Sequence, residues 1–160
     1  DCRLGDGLTC IQAGEVDGAV ICGMGGPLMV KILQNSYEVW QSLHFAVLQP
    51  QSEAGILRRY LYQHGWHIED ERLVIDDGRF YEMMRAVPGQ ADALPDWLYD
   101  IGPVNWQRRD PLLGRKIDIL METKGHILEG LRKSRKDVHE RIEKIESELR
   151  FWRELKCQLP

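Results

Sequence analysis

The sequence predicts an α/β fold that continues into an α-helical hairpin, and three patterns support this. Two nearly continuous apolar runs, at residues 16–22 and 44–48, are typical of strands buried on both faces of a parallel sheet. An Asp-Gly turn between two β-rich segments predicts a terminal antiparallel pair. Apolar side chains beyond Asp110 follow a heptad spacing. We therefore expect an α/β domain, a connector and a helical coiled-coil hairpin at residues 1–90, 91–110 and 111–160.

A helix is predicted after each of the two buried strands. Apolar residues recur there at the spacing of one helix face, first at Leu28, Ile32 and Leu33, then at Ile56, Leu57, Tyr60 and Leu61. The second helix is expected to begin at Ser52-Glu53 and to end at Gly65 in the left-handed conformation. Strands and helices that alternate in this way predict a layered α/β fold.

The sheet is expected to end in an antiparallel hairpin. Segments 66–75 and 80–87 are rich in β-branched and aromatic residues, and they flank Asp76-Asp77-Gly78. Asp-Gly is favoured in tight hairpin turns because both central residues adopt positive φ. Pro95 and Pro103 within residues 91–110, and Pro111 just after them, predict a short helix plus connector there.

Two heptad seams predict the helical part. Apolar residues step by four and three from Leu113 to Leu131, with Lys124 at one of these positions, and again from Val138 to Trp152. Between them, Ser134 and Asp137 form an S-x-x-D pattern that can restart a helix by capping it. A single rod of about 45 residues would be roughly 70 Å long with its seam exposed. We therefore expect the chain to fold back as an antiparallel hairpin.

Composition places the chain among globular proteins. Of its 160 residues, 43% are hydrophobic and 29% are charged, which excludes a disordered tail, a fibre and a disulfide-stapled miniprotein. The net charge of −4 is divided unevenly, since residues 1–106 hold 7 Lys/Arg against 15 Asp/Glu and residues 107–160 hold 14 against 10. With no apolar run of about 18 residues and no basic-then-apolar leader, a cytoplasmic protein is expected.

Cysteine and histidine spacings do not predict a metal site. The four cysteines include no C-x-x-C pair, and Cys10 and Cys22 lie in apolar stretches, so buried free thiols are expected. His64 and His67 are three residues apart but lie on either side of Gly65, where the helix is expected to end.

Two glycine loops follow strands of the predicted sheet. Residues 4–8 contain Gly5, Asp6 and Gly7, and residues 22–27 contain Gly23, Gly25 and Gly26. Ligands of open α/β sheets bind at this edge, where glycines allow close backbone approach and Asp6 can accept hydrogen bonds. Alternatively, both loops are tight strand-to-helix turns without a ligand. The second loop lacks the sequence of a Walker loop and of a dinucleotide fingerprint.

Five motifs in order carry a resemblance to a known family. They are Gly5-Asp6-Gly7-Leu8, Val16-Asp17 leading into Cys22-Gly23-Met24-Gly25-Gly26, Leu48-Gln49-Pro50-Gln51, Gly65-Trp66 and Asp77-Gly78-Arg79-Phe80-Tyr81-Glu82. Together they closely resemble the bacterial tRNA (adenine-N1)-methyltransferases that modify adenine 22 of tRNA. The resemblance covers residues 1 to about 90, and the helical hairpin matches the C-terminal coiled-coil domain of that family in kind.

The resemblance implies a class I, Rossmann-like methyltransferase that depends on S-adenosylmethionine, with the second half of its sheet present here. It places Asp6 near the cofactor adenine with Gly5, Gly7 and Leu8 around it. It places Gly23, Met24, Gly25 and Gly26 against the methyl donor and the target base, with Gln49, Pro50 and Gln51 where that base approaches. The implied catalytic residues are Asp6, Gly23 and Met24, although Asp6 can serve the cofactor alone.

The basic residues suit the phosphates of a tRNA partner. Candidates are a cluster near the expected hairpin tip and a pair on the second predicted helix: Arg132, Lys133, Arg135 and Lys136, and Arg58 with Arg59. Alternatively, these side chains are the solvated outer positions of a coiled coil and of an exposed helix face.

The resemblance also implies what would precede Asp1. The family's first strands, with the loop that wraps the methionine part of the cofactor, have no counterpart here, and Arg3-Leu4 resembles the end of a strand. This chain alone is therefore expected to bind S-adenosylmethionine feebly or not at all and to be inactive. Strand 16–22 would be an exposed apolar edge, which favours a homodimer or strand-swapped association through residues 1–4. The competing hypothesis is a non-enzymatic α/β and coiled-coil interaction module.

Overall fold

A computed structural model describes residues 1–134 and 137–159 of the chain, so Arg135, Lys136 and Pro160 lie outside the described residues. The chain divides into two compact units, Asp1–Arg108 and Arg109–Pro160. The described residues form four strands and seven helices. In chain order these are β1 Gly18–Gly25, α1 Gly26–Asn35, α2 Tyr37–Ser42, β2 Phe45–Ser52, α3 Ala54–Gln63, β3 Trp66–Asp76, β4 Arg79–Pro88, α4 Asp96–Ile101, α5 Pro103–Arg108, α6 Leu113–Arg132 and α7 His139–Cys157.

The strands of the first unit form one mixed sheet in the order β1-β2-β4-β3. β1 and β2 are parallel, and β4 is antiparallel to both β2 and β3. This confirms an α/β fold whose parallel part is extended by an antiparallel pair. The position of β4 between β2 and β3 is an addition to what the sequence patterns indicated.

Both parallel strands continue further than their apolar runs predicted. Their pairing reaches Gly25 opposite Ser52, so Gly23 and Gln49 lie within the ends of the strands and not in loops after them. Hydrogen bonding between the two backbones sustains the strands beyond the last buried apolar side chain.

The strand expected at Arg3-Leu4 is absent. Residues 1–5 have no regular secondary structure, and the Leu4 side chain is fully exposed. Strand geometry is stabilised by pairing with a neighbour, and in the described sheet β1 pairs with β2 alone. β1 therefore lies at an edge of the sheet, where Val20 is 69% exposed.

The Asp-Gly turn forms as predicted. β3 and β4 pair from Asp76 opposite Arg79 outward, and the two turn residues, Asp77 and Gly78, have φ of 47° and 71°. Positive φ at both central positions is the geometry of the turn that matches the twist of antiparallel strands.

The core of the first unit lies between the sheet and α1, α2 and α3. Trp40 of α2 stacks on Trp66 of β3 with ring centroids 3.8 Å apart. α3 begins after Glu53, and Gly65 follows its end with φ of 75°, close to the predicted limits. The predicted apolar faces need two corrections, because Leu28 and Ile56 are 50% and 45% exposed.

Residues 96–108 belong to the first unit. α4 packs against α3, and α5 packs against β3. Tyr99, Ile101 and Asn105 are all buried. The predicted connector thus contains two short helices that cover one side of the sheet's antiparallel end.

The second unit consists of α6 and α7 packed against each other. Leu113, Ile117 and Leu128 are buried on α6, and Leu149, Trp152 and Leu155 are buried on α7. Three ion pairs join the helices, Lys124–Glu148 at 2.5 Å, Arg132–Glu146 at 2.6 Å and Lys156–Asp118 at 2.6 Å.

Candidate functional site

The end of β1 contains a bulge centred on Gly23. In the ladder with β2, Cys22 pairs with Gln49 and Met24 pairs with Pro50, so Gly23 has no opposite residue. Its φ of 79° favours glycine. The Gly23 N–H donates to Oε1 of Gln49 at 3.0 Å, and Nε2 of Gln49 donates to the Pro50 carbonyl at 3.3 Å.

Glycines at the start of α1 allow the two strand-to-helix junctions to touch. A Cβ at Gly26 would lie 2.4 Å from the Glu53 carbonyl oxygen, and one at Gly25 would lie 3.0 Å from Oγ of Ser52. Glu53 has a φ of 49°, in the left-handed region, as the chain turns into α3. Close approach of the backbones therefore requires glycine at position 26.

Open space surrounds the bulge on its outer side. A Cβ placed on Gly23 would meet only Nε2 of Gln51, at 3.8 Å. Met24 and Gln51 are exposed. Cys22 is also exposed and Cys10 is half-buried, which corrects the expectation that both are buried thiols. We call residues 22–26 and 49–52 the glycine edge.

The loop at residues 5–8 is fixed against α1. Gly7 has a φ of 62°, and a Cβ there would lie 2.6 Å from Cγ2 of Ile32. Leu8 is buried in the core. The Asp6 N–H donates to Oγ1 of Thr9, whereas the exposed Asp6 carboxylate has no side-chain partner among the described residues.

An ion pair holds the segment that follows this loop. Arg3 pairs with Glu15, and the Gln12 N–H also donates to the Glu15 carboxylate. The hydrogen bond from Arg3 and that from the Gln12 amide lower the pKa of Glu15 to about 2. These contacts keep the loop anchored while the Asp6 carboxylate stays free to accept hydrogen bonds.

The prediction that Arg58 binds tRNA is wrong. Arg58 is completely buried, with Nε 2.6 Å from Glu71 and Nη2 2.9 Å from Glu82. Nη1 donates to the Tyr99 carbonyl at 2.9 Å. Burial by itself lowers the pKa of Arg58, but the two carboxylates outweigh it and raise that pKa. The sequence held no local signal of this, because the approach of Arg58 to Glu71 and Glu82 depends on packing between α3 and the β3–β4 hairpin.

The other basic candidates are at the surface where the structure describes them. Arg59 pairs with Asp96 at 2.8 Å and lies 4.5 Å from the Tyr99 ring centroid. Arg132 and Lys133 are exposed, and Arg132 is partly neutralised by Glu146. The predicted contacts of Arg135 and Lys136 lie outside the described residues.

Residues 1–134 and 137–159 include no group of three or more His, Cys, Asp and Glu side chains arranged to hold a metal ion. Their helices include none long and apolar enough to cross a membrane.

The fold and the glycine edge define the class of protein. A mixed sheet whose parallel strands end at glycine-lined junctions is an α/β, Rossmann-like fold. The family model described as tRNA (adenine(22)-N(1))-methyltransferase matches residues 1–154. The chain belongs to this family, which confirms the resemblance in the five motifs.

Individual relatives agree with this assignment. The chain is similar to the tRNA (adenine(22)-N(1))-methyltransferase of Bacillus subtilis (strain 168), with 37% identity over 94 residues, which are 59% of this chain and 40% of that protein. The chain thus spans less than half of the curated relative that it matches.

Two solved structures have a similar fold. The Bacillus subtilis M1A22 tRNA methyltransferase has a TM-score of 0.81 at 24% identity, over 96% of this chain and 69% of that one. A Streptococcus pneumoniae protein solved in complex with S-adenosyl-L-methionine has a TM-score of 0.72 at 28% identity, over 92% of this chain and 67% of that one.

Proposed function

We propose that the complete protein transfers a methyl group from S-adenosylmethionine to N1 of an adenine in tRNA, at position 22 as in its family. The observation that carries this proposal is the glycine edge, where exposed backbone and amide groups surround an open bulge. Family membership over residues 1–154 supports the same activity and disfavours a purely structural interaction module.

The cofactor is proposed to lie between the loop at residues 5–8 and the glycine edge. The exposed Asp6 carboxylate can accept hydrogen bonds from a cofactor adenine, with Gly5, Gly7 and Leu8 shaping its surroundings. The backbone of Gly23 allows close approach because no Cβ projects from it, and Met24, Gly25 and Gly26 continue the same edge toward α1. When bound, S-adenosylmethionine supplies an electrophilic methyl group on a sulfonium.

The chemistry at N1 needs positioning more than a base. The N1 lone pair forms the new N–C bond while the S–C bond breaks, and the electron pair of that bond stays on sulfur. The products are a neutral thioether and a cationic adenine, and no proton is transferred. A site made of backbone groups and the amide of Gln51 can orient the base and exclude water, which is what the reaction requires. Asp6 can also stabilise the cationic product, and Gly23 and Met24 border the reacting atoms in this proposal.

We propose that the second unit is an antiparallel coiled-coil hairpin that contacts tRNA. The three ion pairs support the antiparallel arrangement, because residues early in α6 meet residues late in α7. Phosphate contacts are assigned to Arg132, Lys133, Arg135 and Lys136, with Arg59 as a weaker candidate on the first unit. On this proposal residues 1–90 are the second half of the methyltransferase sheet, residues 91–110 are the connector, and residues 111–160 form the hairpin.

The cellular setting follows from the substrate. A tRNA-modifying enzyme of this bacterial family is proposed to work in the cytoplasm. The exposed edge of β1, with Val20 uncovered, supports the expectation that this chain by itself associates through strand pairing, in a homodimer or a strand-swapped form.

The activity is tested by locating the transferred methyl group. The complete protein is incubated with unmodified tRNA and S-adenosylmethionine carrying a labelled methyl group, and the nucleosides are separated after digestion. We expect 1-methyladenosine, and no transfer to a matched tRNA in which guanine replaces adenine 22. Label on the exocyclic amine, or equal labelling of both tRNAs, would contradict the proposal.

A further inference from the structure

We propose that Gln49 is a positioning residue, whose side chain fixes the Gly23 bulge so that the backbone of Gly23 and Met24 faces the reacting atoms. This inference rests on the proposed function and goes beyond it, because it gives Gln49 a role through Gly23 in place of direct contact with the target base.

The bulge leaves Gly23 without the support that a strand residue normally has. Cys22 and Met24 pair with consecutive residues of β2, so the backbone of Gly23 is left out of the ladder. The Gly23 N–H nevertheless has an acceptor, because Oε1 of Gln49 lies 3.0 Å from it. The side chain of Gln49 therefore replaces the missing backbone partner from the neighbouring strand.

Both ends of the Gln49 amide are engaged. While Oε1 accepts from Gly23, Nε2 donates to the Pro50 carbonyl at 3.3 Å. A glutamine that is bonded at both ends has a defined orientation, and turning it toward a base would break its bond to the Gly23 N–H. Gln51 differs, since it is exposed and its Nε2 lies 3.8 Å from where a Gly23 Cβ would be. Gln51 is thus the amide that can reach the substrate.

The bulge matters because methyl transfer requires in-line alignment of N1, carbon and sulfur. A displacement of about 1 Å can lower such a rate about 100-fold. Gly23 has positive φ and no side chain that could anchor it, so its position depends on contacts made to its backbone. In the structure, the contact to the Gly23 N–H comes from the side chain of Gln49.

The test compares Gln49→Ala and Gln49→Glu with Gln63→Ala in the complete protein. Gln63 is an exposed residue of α3, so its substitution controls for loss of a glutamine side chain. Glutamate keeps an oxygen that can accept from the Gly23 N–H. The first readout is hydrogen exchange of the Gly23 amide by NMR, and the second is kcat and KM for tRNA.

We expect Gln49→Ala to speed exchange of the Gly23 amide about tenfold. We expect it to lower kcat about 10- to 100-fold with KM for tRNA unchanged. Gln49→Glu keeps the acceptor for the Gly23 N–H but loses the donor to the Pro50 carbonyl, so it is expected to restore the slow exchange and kcat in part. Gln63→Ala is expected to change neither.

Failure of the positioning role and failure of the proposed function would give different results. If the wild-type protein is active, either of two results for Gln49→Ala would overturn the positioning role. One is a loss of tRNA affinity with kcat unchanged, and the other is slow exchange of the Gly23 amide as in the wild type. A wild-type protein that transfers no methyl group to tRNA would overturn the proposed function itself.

Discussion

Arg58 carries its charge inside the first unit, where Glu71 and Glu82 bind it from two sides. Oε2 of Glu71 also accepts from the backbone N–H groups of Val104 and Asn105 at 3.1 and 3.2 Å. This cluster therefore links α3, the β3–β4 hairpin and the start of α5. Buried charges of this kind contribute little net free energy when intact, but removing one partner is costly because the others stay desolvated.

Replacing Arg58 tests this at the residue scale. Arg58→Met is expected to lower the free energy of unfolding by about 3–5 kcal/mol, since two carboxylates lose their buried cation. Arg59→Met is the matched control and is expected to cost less than about 1 kcal/mol, because the Arg59 side chain is 40% exposed. Urea unfolding of the complete protein measures both. If Arg58→Met left the stability unchanged and weakened tRNA binding, Arg58 would be a surface residue that binds tRNA, and the buried cluster would be wrong.

A second substitution tests the contact between the strand-to-helix junctions. Gly26→Ala is expected to destabilise the protein by about 1–3 kcal/mol, because the new methyl group would overlap the Glu53 carbonyl. Gly130→Ala is the control, since a Cβ there meets no atom within 4 Å. Thermal unfolding compares the two, and equal midpoints would show that the junctions are free to separate.

At the scale of elements, turns and helix ends that depend on local sequence could be predicted, whereas contacts between distant elements could not. The Asp77-Gly78 turn was predictable because its positive φ values select those residue types, and helix α3 ends where Gly65 indicated. The bulge at Gly23 was not predictable, because it depends on a register between β1 and β2 that neither strand specifies alone. The same holds for Arg58, whose neighbours on α3 form an ordinary amphipathic pattern until Glu71 and Glu82 are placed beneath it.

Helix α6 offers a test at this scale. Gly125 lies in the middle of the helix, and a Cβ there would meet no atom within 4 Å. Gly125→Ala is therefore expected to stabilise the second unit by about 0.5–1 kcal/mol through the lower conformational entropy of the unfolded chain. Gly102→Ala should destabilise the first unit, because φ is 98° and a Cβ there would lie 2.6 Å from Oε2 of Glu71 and 2.7 Å from Nδ2 of Asn105. A loss of helix stability in Gly125→Ala, measured by circular dichroism on heating, would contradict the α6 environment described above.

For the whole molecule, the five ordered motifs identified the family, and the mixed sheet supports them. Sequence could identify Asp6 and the glycines as a candidate site, since their residue types and order are local properties. It could not show that Gln49 bonds to Gly23 while Gln51 is exposed, because residues that are two positions apart on a strand share the same place in the alternating pattern. It also could not rank the basic residues, since their exposure depends on packing between distant elements.

The proposed tRNA contacts are tested by the salt dependence of binding. Reversing the charges at Arg132, Lys133, Arg135 and Lys136 in the complete protein is expected to weaken tRNA binding. The slope of log affinity against log salt should fall by about 0.7–0.9 for each phosphate that the protein no longer neutralises. Arg150→Glu with Arg153→Glu, on exposed positions of α7, is the matched control. An unchanged slope in the fourfold variant would place the tRNA elsewhere.

The most direct test of the account asks which residues touch the target base. A tRNA with a photoreactive adenine analogue at position 22 is bound to the complete protein with S-adenosylhomocysteine and irradiated, and the crosslinked peptide is found by mass spectrometry. We expect labelling within residues 22–26 or 49–52, suppressed by excess unmodified tRNA. Labelling confined to the β3–β4 turn at residues 76–79, or to the second unit alone, would contradict it.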